Sequence, residues 1–196
     1  LNVNDAARRF KFTFGIGSFY FMEAAKLRAA RMLWSKILEA FGVNKENRKM
    51  FIHCKASEFN QTYFDPYVNM LRTTTEAFSA IVGGADSIHT NPYDESFNPS
   101  DNFSRRISRN TQIVLKEESH LDQVIDPAGG SYFVEKLTDD IAKAAWKLFQ
   151  TVEEKGGMLE AIQSGFVQEE INKTAEARKK DIAKRKAVLV VTNMYS

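Results

Sequence analysis

Residues Phe10–Gly17 read FKFTFGIG. Phe10, Phe12 and Phe14 recur with the period of two that belongs to a strand, and Gly15 and Gly17 then break the run as at an exit into a loop. A long amphipathic stretch follows from about Phe19 to Phe41. Ala30, Leu33, Trp34, Ile37 and Phe41 fall on one helical stripe there, and Gly42 stands just past the end. Strand, glycine exit, helix and glycine stop make one βα unit.

The same order of signals returns further along. Met50–Cys54 (MFIHC) reads as a second strand, followed by helical spacing through Tyr67, Leu71, Thr74, Phe78 and Ile81 up to Gly83 and Gly84. Asp86–Thr90 (DSIHT) reads as a third, with a long turn-rich loop, NPYDESFNPSDN, before a helix over about Phe103–Glu118. That helix is expected to turn Phe103, Ile107, Val114 and Leu115 inward. Val124 and Ile125 offer a fourth strand ahead of a Pro-Ala-Gly-Gly turn. Thr138 is placed to cap the next helix, with Asp139 and Asp140 at its positive end and Ile141, Ala144, Leu148 and Val152 as its apolar face.

The strands begin near residues 10, 50, 86 and 124, a recurrence of about 36 to 40 residues. Alternating βα units imply parallel strands with helices packed outside. The units share rhythm but no wording, which argues against a solenoid. Four such units amount to half of a TIM-type (β/α)8 barrel, whose full circle takes about 250 residues. A free-standing half would expose two strand edges, so the expectation is an α/β half-barrel, or an open sheet that must pair with something.

The half-barrel is expected over residues 1–157, with a helical linker and C-terminal extension over 158–196. Leu159, Ile162, Phe166 or Val167, and Ile171 continue a helical stripe. Lys173–Lys186 is rich in Lys and Arg but interleaved with Glu176, Asp181 and alanines, so it reads as a solvated helix face. Ala187–Val191 (AVLVV) suggests one more strand.

Composition narrows the function classes. Apolar residues form 43% of the chain, and 15 of the residues are Phe, enough to fill a core and exclude disorder. Basic and acidic residues number 27 and 25, leaving no domain-scale field for nucleic acid. Cys54 is the single cysteine, which excludes a disulfide framework and any multi-cysteine metal site and fits a reducing compartment. No apolar run approaches the roughly 20 residues of a membrane span, and the start lacks a signal-peptide pattern. A cytoplasmic protein without membrane attachment is expected.

Chemistry-bearing residues are sparse. His53, His89 and His120 lie far apart, so no metal site is expected. His53 and His89 should both fall at strand C-terminal ends, the active-site side of a barrel. A hydrogen-bonded core or rim histidine suits His53. For His89 a site role is equally open, because Asn91, Asp94 and Glu95 follow at once. Adjacent Asp94 and Glu95 are weak evidence for an acid–base pair, since such pairs converge from different segments. DPAGGSYF could bring backbone amides to a phosphate but lacks the P-loop and dinucleotide spacings, and a structural turn fits it better.

Longer wordings say more than these patterns. FYFMEAAKLRAARMLW (19–34), DPYVNMLRTTTEAFSAIVGGADSIHTNPYDE (65–95), FSRRISRNTQIVLKEESHLDQVIDPAGGSYFVEKLTDDIA (103–142) and AWKLFQTVEEKGGM (145–158) closely resemble the barrel domain of the methylmalonyl-CoA mutases. The resemblance covers about Ala6 to Tyr195 and matches the C-terminal half of that barrel with the segment leading out of it. The ending VTNMY (191–195) is most similar to the small subunit of the bacterial heterodimeric enzyme.

The resemblance implies an isomerase dependent on adenosylcobalamin, which interconverts methylmalonyl-CoA and succinyl-CoA by radical 1,2-migration of the thioester group. The barrel surrounds the CoA chain, and a separate domain carries cobalamin through an Asp-x-His-x-x-Gly motif. That motif is absent here, and the substrate-side tyrosine and histidine belong to the other half of the barrel. Arg9 matches an arginine that contacts CoA, with Lys11 in place of the motif's serine. Asn91 and Glu95 match a strand-end pair facing the adenosyl group. Where catalytic subunits read Gln-Thr-Ser-Gly around the corrin, this chain reads Lys55-Ala56-Ser57-Glu58.

A glycine there lets a flat ring approach the backbone, and Glu58 would fill that space. The implication is a non-catalytic small subunit, with no catalytic residue of its own, paired with a mutase large subunit or a complementary barrel half. Acyl-CoA and adenosylcobalamin would then belong to the holoenzyme, and this chain alone would not bind the cobalamin. The alternative is a piece of a catalytic acyl-CoA mutase chain.

Overall fold

A computed structural model describes residues 2–195. The chain divides into two compact units, Leu1–Ala142 and Lys143–Ser196. The first holds three parallel strands, β1 (Lys11–Ile16), β2 (Phe51–Ala56) and β3 (Ser87–His89), in the spatial order β1-β2-β3. After the short α1 (Val3–Ala7), the crossovers are α2 (Tyr20–Ala40) between β1 and β2, and α3 (Val68–Val82) between β2 and β3. Helix α4 (Asn102–Ile113) follows β3 and widens into a π-helical turn over Val114–Glu118.

Alternation in the strands sorts the residues onto two faces. Phe12, Phe14 and Ile16 of β1, Ile52, Cys54 and Ala56 of β2, and Ile88 of β3 turn one way. Most of them join Leu27, Trp34, Met50 and Ala80 in one apolar core. Register sets Lys11 beside Phe51, Thr13 beside His53 beside Ser87, and Gly15 beside Lys55 beside His89. These residues of the second face are exposed or half-buried.

The α2 stripe is only partly inward: Ala30 and Trp34 pack against the core. In α2 the buried positions are Ala24, Ala25, Leu27, Ala29 and Leu38, whereas Phe41 is 72% exposed. Small alanines let the helix lie close on the sheet, with Leu27 filling the core between them and Phe41 left outside. In α3 the buried set is Asn69, Thr73, Glu76, Ala77, Ser79, Ala80 and Val82, while Tyr67 and Leu71 are exposed. A polar stripe faces inward because it ties down the loops at the strand ends.

The fourth expected strand does not form. Ile125 is 98% exposed, residues 121–126 form turns and bends, and His120 and Asp126, both at φ of 52°, bracket the segment. Arg28 grips the Asp126 carboxylate with two bonds of 2.8 and 3.0 Å and also reaches Glu135 at 2.7 Å and Thr138 Oγ1 at 3.0 Å. That clamp draws the chain into a turn. A cavity of about 600 Å³, lined by Ile81, Ile88, Ile113, Leu115, Leu121 and Val124 among others, lies beside β3.

Helix α5 (Tyr132–Glu154) starts six residues before Thr138, so Thr138 is no cap; its hydroxyl donates to the Val134 carbonyl at 2.7 Å. In the first unit α5 buries Val134, Thr138 and Ala142, while Ala144 and Leu148 of the expected stripe are exposed. Of the inward set expected of the helix over Phe103–Glu118, Leu115 is buried and Ile107 half-buried, while Phe103 and Val114 are exposed.

The second unit contains the end of α5, α6 (Met158–Gln163) and α7 (Phe166–Ala183). Gly156 and Gly157, at φ 96° and 90°, make the turn after α5. Val152 and Ala161 are buried in this unit, and Lys155 sits over the Phe166 ring at 4.5 Å. The basic stretch carries its own acids: Lys179 pairs with Glu176 at 3.0 Å and Lys186 with Asp181 at 3.4 Å. AVLVV forms no strand. Asn193 gathers the segment into a turn by bonding the Leu189 amide and the Ile182 and Ala187 carbonyls. Among the described residues no helix is long and apolar enough to cross a membrane.

Candidate functional site at the strand ends

The C-terminal ends of β1, β2 and β3 share one side of the first unit because all three strands run parallel. Strand β2 extends two residues beyond the expected MFIHC run, so His53 lies mid-strand and Lys55 stands one residue before its end at Ala56. The His53 Nδ1 is 2.8 Å from Ser87 Oγ, a hydrogen-bonded histidine on the sheet's second face. His89 closes β3 and is exposed.

Lys55 Nζ donates to Glu58 Oε1 at 2.6 Å and stands 3.9 Å from Glu95 Oε1. The bond to Glu58 is the main cause that raises the Lys55 pKa, with the two carboxylate charges adding to it. Lys55 is thus a fixed cation between the loops that leave β2 and β3. Glu58 opens a short 3-10 turn, Glu58–Asn60, and its side chain is about half exposed. Asn91 is 1% exposed and donates from Nδ2 to the Ala56 carbonyl at 3.2 Å. Its Oδ1 and Glu95 Oε2 are buried without a hydrogen-bond partner.

The structure therefore brings Lys55, Glu58, Asn91 and Glu95 together. It sets Arg9 apart: Arg9 is exposed in the turn before β1, at the other end of a strand of roughly 17 Å. Asp94 and Glu95 go separate ways, since Asp94 is buried and accepts from Ser100 Oγ at 3.0 Å. The DPAGG segment is a structural turn, with Gly130 N–H donating to Glu135 Oε1 at 3.0 Å. A side chain at Gly129 would come within 2.9 Å of Asp126 Oδ2. Among the described residues no group of three or more His, Cys, Asp or Glu could hold a metal ion.

Sequence reasoning missed the layer beneath. On α3, Asn69 donates from Nδ2 to the carbonyls of Thr62 (2.8 Å) and Tyr93 (2.9 Å) and accepts the Thr62 amide at 3.1 Å, so it stitches both strand-end loops together. Arg72 Nη1 donates to Asn69 Oδ1 at 2.8 Å. Glu76 accepts from Asn60 Nδ2 at 2.7 Å. The signal was present in the spacing: Asn69, Thr73, Glu76 and Ala80 run i, i+4, i+7, i+11 along one face.

The family model for methylmalonyl-CoA mutase matches residues 1–196. The chain belongs to the methylmalonyl-CoA mutase family. Within that family it is 46% identical over 193 residues to the methylmalonyl-CoA mutase small subunit of Porphyromonas gingivalis, covering 97% of this chain and 31% of the relative. It is 44% identical over 196 residues to the methylmalonyl-CoA mutase of Rhizobium meliloti, covering 100% and 28%. The small subunit of Streptomyces virginiae is 44% identical over 186 residues, covering 95% and 30%. The chain thus spans less than a third of the length of these family members.

Proposed function

We propose that this chain is part of a methylmalonyl-CoA mutase, interconverting methylmalonyl-CoA and succinyl-CoA, and that it comes from the non-catalytic small subunit. In this reading residues 1–157 are the C-terminal half of a (β/α)8 barrel, with 158–196 leading out of it. A mutase large subunit, or the complementary barrel half, is the partner. The protein acts in the cytoplasm on acyl-CoA, which Arg9 would meet as a guanidinium beside phosphate.

The observation that carries the small-subunit reading is the Lys55–Glu58 ion pair at 2.6 Å over the end of β2. Two long charged side chains occupy the place where the resemblance asks for a glycine-lined face. Burying that pair under a corrin would desolvate both charges, at a cost of several kcal/mol per ion before their attraction offsets it. These residues do not fit adenosylcobalamin, which belongs to the holoenzyme and is not held by this chain alone. The reading of a catalytic chain draws support from the 44% identity to a mutase not named as a subunit.

Assay of the full-length pair with and without this chain tests the mutase reading. Activity that needs both chains is the expected result, and a pair with no mutase activity counts against it. Spectral titration of the intact subunit with adenosylcobalamin separates the two readings. No spectral change is expected. Micromolar binding that survives replacement of His53, His89 and His120 would overturn the small-subunit reading, because the barrel face would then hold the corrin unaided.

A further inference from the structure

Glu76 is 1% exposed, yet only one of its carboxyl oxygens is used. Oε1 accepts from Asn60 Nδ2 at 2.7 Å, and Oε2 is buried without a partner. A second carboxylate stands close by. A side chain at Gly17 would meet Glu23 Oε1 at 3.2 Å and Asn60 Nδ2 at 3.6 Å, so Glu23 and the amide that serves Glu76 border the same glycine. Glu23 Oε2 also lacks a hydrogen-bond partner, although Lys26 on α2 is ion-paired with it. Asn60 ends the short turn that begins at Glu58. The Glu76–Asn60 bond therefore ties α3 to the first part of the loop that carries half of the Lys55–Glu58 pair, while Asn69 ties α3 to Thr62 further along it.

We propose that Glu76 is a protonation latch on the β2 strand-end loop: the neutral carboxyl holds residues Ser57–Gln61 closed on α3, and its ionisation lets that loop open. A carboxylate at this position has one donor side chain and a like charge beside it. Leaving it charged and dry costs more than exposing it to water by releasing the loop. The groups facing it are Glu23 and Lys26 on α2, the Ser57 amide and Asn60 in the loop, and Arg72 on its own helix; Cys54 on β2 is un-ionised. Burial is the main cause that pushes the Glu76 carboxyl up to about 7, and the Glu23 charge adds to it. The Asn60 bond, the nearby Ser57 amide, whose N–H donates to the Ile16 carbonyl at 2.8 Å, and the Arg72 charge pull the other way. A carboxyl raised from its ordinary 4.5 stabilises the closed form fully below that value, and the stabilisation falls away as pH rises through about 7.

The latch is independent of the mutase reading, and its test needs neither partner nor acyl-CoA. In the intact subunit, the Glu76 carboxyl carbon resonance, assigned through Glu76→Gln, is expected to titrate near neutrality. Amide exchange over residues 57–61, corrected for its intrinsic pH dependence, should rise about tenfold between pH 5.5 and 8. Glu76→Gln should remove that rise and leave the loop closed. Glu23→Gln keeps the latch in place and should move the carboxyl midpoint down by roughly half a pH unit or more. A midpoint at the ordinary carboxylate value would overturn the proposal. So would a pH-dependent opening that persists in Glu76→Gln or, if that variant does not fold, a midpoint unmoved by Glu23→Gln.

Discussion

The two faces of the β1–β3 sheet come from alternate residues of the same strands and have opposite chemistry. One face buries Ile16, Ile52, Cys54 and Ala56 at 4% exposure or less. The other presents Thr13, His53, Lys55, Ser87 and His89, with Phe51 under Lys11 as its one large apolar group. A barrel interior is ordinarily filled by branched apolar side chains. Here the second face is furnished for polar company, so the first face holds the fold and the second is free for a role. A single period-two pattern divides the two tasks between neighbouring residues.

The strongest way to break this comparison is substitution on the two faces of the sheet, Ile52 on β2 and Thr13 on β1. Ile52→Ala should lower stability by about 2–5 kcal/mol in urea unfolding, the range for emptying a packed core position. Thr13→Ala, one residue along in the register, should cost less than about 0.5 kcal/mol. Equal losses would mean that the second face is core as well.

Removing the clamp at the strand that failed to form comes next. Arg28→Ala should cost about 1.5–3 kcal/mol, as expected for hydrogen bonds to charged groups, and should speed proteolysis across residues 124–131. Unchanged cleavage there would show that the turn holds its shape without Arg28. Acid should loosen the same turn. The Arg28 guanidinium is the main cause that holds the Glu135 carboxyl below its ordinary value, and the Gly130 amide assists. The stabilisation is present above that ordinary value and is lost as pH falls through the lowered one. Chemical shifts of the Gly130 amide should follow that titration, and a flat response would remove Glu135 from the clamp.

The smallest effect sharpens the contrast. Glu58→Gln should change stability by less than about 0.5 kcal/mol, because the pair with Lys55 is largely solvated. A larger loss would move that pair from the solvated, polar side of the comparison to the structural side.

Much of this architecture was legible in the sequence. Period-two runs located β1, β2 and β3 to within a residue or two, and glycines located the ends of α2 and α3. The failures share a cause. Val124–Ile125 and Ala187–Val191 have strand-like composition, but the first is pulled aside by Arg28 from about a hundred residues away and the second is wound up by Asn193. Long-range bonds of this kind leave no local pattern. The inward face of α2 was read only in part, through Ala30 and Trp34, and the polar inward stripe of α3 was not read at all, because large apolar residues were given priority. At the site, Lys55, Glu58, Asn91 and Glu95 were found through resemblance, while Asn69 and Glu76 were missed because buried polar residues look like solvated ones in a sequence.

The lone thiol has a practical use. Cys54 lies in the middle strand with no exposed surface, and burial pushes its pKa up to about 11. Only a thiolate reacts readily with alkylating reagents, so the folded protein at mildly alkaline pH should be almost inert to them. Any labelling must then pass through a state in which β2 has parted from α2 and α3. The rate at which an iodoacetamide dye attaches, read against reagent concentration, gives the frequency and free energy of that opening. The protein thus carries a clock for its own core, which needs no engineered probe and ticks only when the sheet comes apart.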